Sequence, residues 1–328
     1  MMVYVRLTWE CKRMDILWQR LIKSLLIAVT VVVALVILYF VALDYLYVVL
    51  GGVLVGGLYA LAALGLALVF GVMKILNLAH GSMMVLGAYL SFWFFTLYGI
   101  DPFISVVLVI PILFLLGFAI EYFLMDKVAT LTAHQPVLVA FGLMVVLESL
   151  FMLLWTADPR GLVLPYSGAR LTVGGLHISL TRFVACVLSV VGLVCLAIIM
   201  NRTLIGRAIQ AVSQDFKAAC FVGINARRMY QLAFGIGAAF AGFAGSLISV
   251  IYAFEPTSGL AFVIKALAVI VLAGSGRISG LIIAGVVLGI IESVGAMIIG
   301  GGFKDAISFA VFLLVLLLKP EGLFGRRG

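Results

Sequence analysis

Leu46-Tyr-Val-Val-Leu-Gly-Gly-Val-Leu-Val-Gly-Gly-Leu-Tyr-Ala-Leu-Ala-Ala-Leu-Gly-Leu-Ala-Leu-Val-Phe70 runs for 25 residues without a charged side chain. The hydrocarbon core of a bilayer is about 30 Å thick, and about 20 consecutive apolar residues in a helix cross it. Working outward, apolar runs follow at 82–98, 103–125, 137–155, 183–200, 230–252, 262–273, 281–299 and 306–318, and one more precedes it from Leu25 to Leu43. The runs at 262–273 and 306–318 are short and read as tilted, re-entrant or half-helical. The expected fold is therefore an all-α, polytopic transmembrane helix bundle of 8–10 spans.

Composition agrees. The chain is 66% hydrophobic and 10% charged, against about 45–50% and about 25% in soluble domains. Its 35 glycines would be costly in soluble helices but let membrane helices approach closely. Small residues recur four apart at Gly52, Gly56 and Ala60, at Gly237, Ala241 and Gly245, and at Gly285 and Gly289. That spacing predicts close packing, within the chain or against a partner subunit. The net charge of +8 sits in short loops and tails, as in cytoplasmic connections, which argues against a nucleic-acid partner. Cys11, Cys186, Cys195 and Cys220 are scattered, without metal or disulfide spacing.

Residues 1–24 are polar and basic, and no small-residue cleavage site follows the run after them. They read as a cytoplasmic segment ahead of a retained anchor at 25–45. Alternating orientation then puts Lys74, Lys127, the Arg202–Arg228 cluster, Arg277 and the 319–328 tail on one side. By the excess of basic residues that side is the cytoplasm, with both termini inside. The opposite side holds Asp101, Glu255 and the long connection 156–182, in which Arg170 to Leu180 alternates around Gly174-Gly175 and predicts a small β-hairpin.

The inner loop 201–229 carries Ala208, Ile209, Val212, Phe216, Ala219 and Cys220 at helical spacing, with Ser213 as a cap and Gly223 as a stop. This predicts a short amphipathic helix, lying on the membrane surface or docking on a partner. Asn77-Leu-Ala-His80-Gly81 sets two polar side chains and a glycine between apolar spans. It reads as a cytoplasmic turn or as a pathway element, since irregular backbone at depth is tolerated where it is buried in protein or lines a cavity. Glu148, Lys265 and Glu292 fall inside apolar runs, where a charge costs about 2.5–3.5 kcal/mol. Lys265 and Glu292 stand roughly 14 and 18 Å from the 274–280 turn, so an antiparallel hairpin lets them pair. The pair is either structural or part of a transport path.

Lys217-Ala218-Ala219-x-x-x-Gly223 resembles the Glu-Ala-Ala-x-x-x-Gly loop of ABC importer permeases, with lysine in place of the acidic residue. Gly206-Arg207-Ala208, Gly223-Ile224-Asn225, Asn77-Leu78-Ala79-His80-Gly81, Ile264-Lys265-Ala266, Gly274-Ser275-Gly276, Glu292 and Lys319-Pro320-Glu321-Gly322-Leu323-Phe324-Gly325 together resemble the permeases of branched-chain amino acid ABC importers. The resemblance covers about residue 50 to the C-terminus, so 46–318 is the expected permease domain. It implies alternating access in the cytoplasmic membrane of a bacterium or archaeon. It also implies two cytoplasmic ATPase subunits, a second permease subunit (the same or related) and an extracytoplasmic solute-binding protein. Arg207, Phe216, Lys217, Ala218, Ala219 and Gly223 are then the ATPase-coupling residues. Asn77, His80, Gly81, Glu148, Lys265 and Glu292 are the pathway or gate candidates.

The resemblance leaves urea and short amides open beside branched-chain amino acids. A proton-coupled carrier or channel, using Glu148 or Glu292, is the rival of another class. The sequence contains no Gly-x-x-x-x-Gly-Lys-Ser/Thr phosphate loop, no hydrolase elbow and no zinc motif, and it has 3 histidines. No enzymatic activity, metal or cofactor is expected on this chain, and ATP and Mg belong to the partner ATPases.

Overall fold

The computed structural model describes residues 44–128, 135–173, 176–274 and 278–318. The sequence readings for 1–24, for the run Leu25 to Leu43 and for the 319–328 tail lie outside them. The features discussed below belong to the compact unit Val48–Gly328.

The chain folds as α1 (Asp44–Met73), α2 (His80–Tyr98), α3 (Pro102–Val128), α4 (Gln135–Trp155), β1 (Arg170–Val173), β2 (Leu176–Ser179), α5 (Leu180–Arg202), α6 (Leu204–Gln214), α7 (Phe216–Phe221), α8 (Ala226–Ile251), α9 (Gly259–Ala273), α10 (Ile278–Ile299) and α11 (Lys304–Leu318). Among the described residues nine helices are long and apolar enough to cross a membrane. Helix dominates because lipid offers no hydrogen bonds, so every backbone group must be satisfied within its own segment. The two short runs lengthen into crossings: single 3-10 turns, Pro256–Ser258 and Gly301–Phe303, extend them to 256–273 and 301–318.

Local sequence sets the ends. Asp101 accepts from the Phe103 N–H at 2.9 Å ahead of Pro102, and so starts α3. Gly99 and Gly274 end α2 and α9 with φ of +66° and +65°. α3 carries a π-helical turn at Glu121–Met125.

α8 is the most buried helix and packs against α2 and α3, whereas α4 and α11 leave most of their surface uncovered. The glycine spacing read from the sequence finds its partner inside the chain. A Cβ on Gly56 would lie 2.6 Å from the Gly285 carbonyl, and one on Gly52 would lie 2.7 Å from that of Gly289. α1 and α10 therefore touch backbone to backbone.

The hairpin forms as expected, antiparallel with Arg170 opposite Ser179 and Thr172 opposite His177. Its turn at 174–175 lies outside the described residues. Neighbouring connections gather with it at one end of the bundle. Arg160 and Phe254 exchange two backbone hydrogen bonds of 2.8 Å, and the Tyr166 hydroxyl donates to the Asp101 carboxylate. Burial, then the bond to Asp101 and its charge, raises the Tyr166 pKa above the usual phenol range. α6, α7 and the Arg227–Asp126 ion pair mark the opposite end.

One local expectation is corrected. The inner loop holds two helices, not one, and they break at Asp215, whose Oδ1 caps α7 by accepting from the Ala218 N–H at 3.0 Å. Ser213 caps nothing, because its hydroxyl donates back to the Gln210 carbonyl within α6. The Asp215 carboxylate also sets a negative charge at the positive N-terminal end of α7.

Candidate functional site

Lys265 on α9 and Glu292 on α10 are 7% and 2% exposed, and their charged atoms lie 3.3 Å apart. The hairpin spacing had made this pair possible. A charge so far from water is tolerated only with its remaining bonding capacity filled. Glu292 Oε1 accepts from Tyr59 Oη at 2.8 Å as well as from Lys265, and Oε2 accepts from Ser308 Oγ at 2.6 Å. Lys265 also reaches Asp305 Oδ1 at 2.9 Å and Tyr59 Oη at 3.3 Å, with its ammonium 5.2 Å from the Tyr59 ring centroid. The cluster thus draws on α1, α9, α10 and the first turns of α11.

The start of α2 lies beside it. His80 is fully buried, and its Nε2–H donates to the Ala62 carbonyl at 3.1 Å, leaving Nδ1 without a partner among the described residues. Ala62 precedes the end of α1 at Met73 by about 16 Å of helix. Segment 74–79 therefore runs back along α1, and α2 begins inside the bundle. Asn77, 2% exposed, secures this return by accepting from the Ala79 N–H at 3.1 Å. Gly81 is required there, because a Cβ would stand 1.9 Å from the Gly259 carbonyl at the first turn of α9. The Asn77–Gly81 joint and the Lys265–Glu292 cluster thus share α1 and the start of α9. His80 is enclosed by protein rather than exposed on a turn.

α6 and α7 form an arm held to the bundle on one side. Ile209, Val212 and Ala219 are buried, and Gln210 Nε2 donates to the Met200 carbonyl at 2.9 Å. Gly223 turns the chain with a φ of +84°, and Asn225 Oδ1 caps α8 by accepting from the Arg228 N–H at 3.0 Å. The string Gly223-Ile224-Asn225 is therefore a helix stop followed by a helix start. Arg207, Phe216, Lys217 and Ala218 face outward, whereas Ala219 packs inward. Phe221 and Val222, not singled out in the sequence, are 89% and 76% exposed at the tip.

A family model for the branched-chain amino acid transport system, permease component, matches residues 48–316. The chain belongs to this family. The high-affinity branched-chain amino acid transport system permease protein BraD of Pseudomonas aeruginosa is 30% identical over 300 residues, covering 86% of this chain and 96% of BraD. LivH of Escherichia coli is 32% identical over 303 residues, covering 87% and 96%. LivM of the same organism is 28% identical over 298 residues, covering 81% of this chain and 67% of LivM. With nine apolar helices among the described residues, this permease is a multi-pass membrane protein.

In the permease, Glu148 stands apart from the other pathway candidates. It is half-buried on α4, which touches α2 and the 256–258 turn rather than α10 or α11. Sequence reasoning missed Tyr59, Asp305 and Ser308. Tyr59 is a hydroxyl in the middle of a run of apolar residues, which was a usable signal. Asp305 and Ser308 lie where a span was only beginning, and their partners are 40 and 16 residues away, so spacing carried no hint of them.

Proposed function

We propose that this permease forms the transmembrane pathway of an ATP-driven importer for leucine, isoleucine and valine. The carrying observation is the family match over 48–316, supported by the substrate named for BraD and LivH. In this reading the end bearing α6 and α7 is cytoplasmic and the hairpin end faces outward, with a binding protein delivering solute there. A second permease subunit, identical or of the LivM kind, completes the pathway along the uncovered faces of α4 and α11. Glu148 lines that path. Asn77, His80 and Gly81 act as a gate joint beside the Lys265–Glu292 cluster.

The arm at α6 and α7 is the coupling element, and two cytoplasmic ATPases are its partners. Its apolar tip supports this. Phe216 is 50% exposed beside the still more exposed Phe221 and Val222, and Lys217 stands among them. An apolar tip of this kind on an otherwise anchored arm fits burial in a partner groove. ATP and Mg bind that partner, and this chain holds no catalytic group of its own.

The test is Phe221→Asp with Val222→Asp in the full system, reconstituted in vesicles. Expected are normal insertion, loss of ATP-driven leucine uptake and loss of ATPase subunits on co-purification. Undiminished uptake without ATP would favour an autonomous carrier and overturn the proposal.

A further inference from the structure

At the hairpin end a cavity of about 210 Å³ opens between α1, the end of α8, the start of α9 and residues Gly301 to Asp305. It is larger than the roughly 150 Å³ hole that accepts benzene and smaller than the roughly 300–1,000 Å³ of drug-sized pockets. That suits a small metabolite. One wall is apolar, made by Ile248, Ala261 and Phe262, and the other carries Lys265, Lys304 and Asp305.

The charges on the polar wall are unequally used. Glu292 behind it is saturated by Tyr59, Ser308 and Lys265. Asp305 gives Oδ1 to Lys265, yet its side chain is 69% exposed, and Oδ2 has no protein partner among the described residues. Lys304 has no ion-pair partner among the described residues, and its ammonium lies 5.5 Å from the ring centroid of Tyr252. Consecutive residues at the first turn of α11 thus present a free cation and an under-used carboxylate. Gly301 and Gly302 leave the approach to them without side chains. Lys265 and Lys304 balance Glu292 and Asp305, so a ligand with net charge would upset the balance and a zwitterion would not.

We propose that this cavity is a docking site for an α-amino-acid zwitterion with an aliphatic side chain. The ligand carboxylate binds Lys304. Its ammonium binds Asp305 and the face of Tyr252, which the Lys304 ammonium leaves as it turns to the carboxylate. The aliphatic side chain lies on Ile248, Ala261 and Phe262. The place of this site in transport rests on the importer reading, but binding is measurable without it.

The test uses the purified full-length chain in mild detergent, with equilibrium dialysis of radiolabelled L-leucine. L-leucinamide lacks the carboxylate and 4-methylpentanoate lacks the ammonium, so both should compete at least about tenfold more weakly, as expected for losing one charge-assisted contact. Asp305→Asn should weaken leucine about tenfold and leave 4-methylpentanoate unchanged. Lys304→Gln should weaken leucine and 4-methylpentanoate alike and leave leucinamide unchanged. Ala261→Trp fills the cavity and should abolish binding in a chain that still elutes as one symmetrical peak. Leucine binding indifferent to Lys304→Gln and Asp305→Asn overturns the site, as does no binding by the wild type. If the assembled importer still carries leucine in that case, the importer reading survives the loss of the site. If the chain binds leucine but no ATPase co-purifies, the site survives the loss of the importer reading.

Discussion

Removing Lys265 and Glu292 singly and together tests whether the buried cluster is a coupled unit. Truncating one member of a buried ion pair costs about 3–5 kcal/mol, because the other charge remains out of water. The structure separates the two single variants. In Glu292→Gln, Lys265 keeps Tyr59 and, as its charged partner among the described residues, Asp305, whose carboxylate is 69% exposed, and an exposed partner returns about 0–1 kcal/mol. The loss should sit near the upper figure. In Lys265→Met, Glu292 keeps the hydroxyl donors of Tyr59 and Ser308, so the loss should sit near the lower one. The double variant Lys265→Met with Glu292→Gln removes both charges, and its new amide oxygen still accepts from a hydroxyl. Such replacements are often close to neutral, so a coupling of at least about 2 kcal/mol is expected. Unfolding in mixed micelles of rising SDS content, followed by tryptophan fluorescence, gives the four stabilities. A double variant that loses the sum of the two singles would refute the coupling. Charge reversal would make a poorer cycle, because a carboxylate at 265 would face Asp305.

Three further outcomes follow from close contacts and caps. Gly81→Ala drives a Cβ toward the Gly259 carbonyl and should cost about 1–3 kcal/mol or more in the same micelle titration. Gly71→Ala meets nothing within 4 Å and should be neutral or stabilising by up to about 1 kcal/mol. Gly56→Leu should part α1 from α10 and lower the yield of monodisperse protein, whereas Gly142→Leu, with nothing within 4 Å of its Cβ position, should not. Asp215→Ala removes the α7 cap and should cost about 1 kcal/mol locally, seen as faster hydrogen exchange across 216–221 with unchanged global stability.

What the sequence disclosed follows from the range of the interactions. Helices were legible because lipid forces a run of apolar residues for each crossing. The glycine spacing was legible because a four-residue repeat on one helix needs a matching stripe on another, and 52/56 meets 285/289. Lys265 and Glu292 were legible because they sit on helices that are neighbours in sequence, ending at Ala273 and starting at Ile278. Asp305 and Tyr59 were not, since three-dimensional packing of α1 and α11 on that hairpin supplies them. The break at Asp215 was hidden by an apolar pattern that continues at helical spacing across it. The return of 74–79 into the bundle was half-visible. Asn77, His80 and Gly81 flagged irregular backbone, but only the contacts to Ala62 and Gly259 reveal its depth.

The cluster also bears on how α11 is held. α11 is the least buried of the candidate spans among the described residues, with Ser308 its buried residue, so apolar packing within this chain anchors it weakly. Among the described residues its side-chain bonds to the bundle are Asp305 to Lys265 and Ser308 to Glu292. These tie down the first two turns, where Ile307 also packs against Gly295, and leave the later part of the helix to the apolar contacts of Val311, Phe312 and Val315. Elements with few buried contacts open first. A ligand held by Lys304 and the unused oxygen of Asp305 would steady the first turn of α11, while Ser308 holds the second without it. Glu292 would keep its two hydroxyl donors throughout, so the deep half of the cluster is unchanged when the shallow half takes up the ligand. Hydrogen exchange across 304–310 should therefore slow with saturating leucine at 304–306 and hold steady from Ser308 onward, and uniform slowing of the whole segment would show that the two halves are not separable.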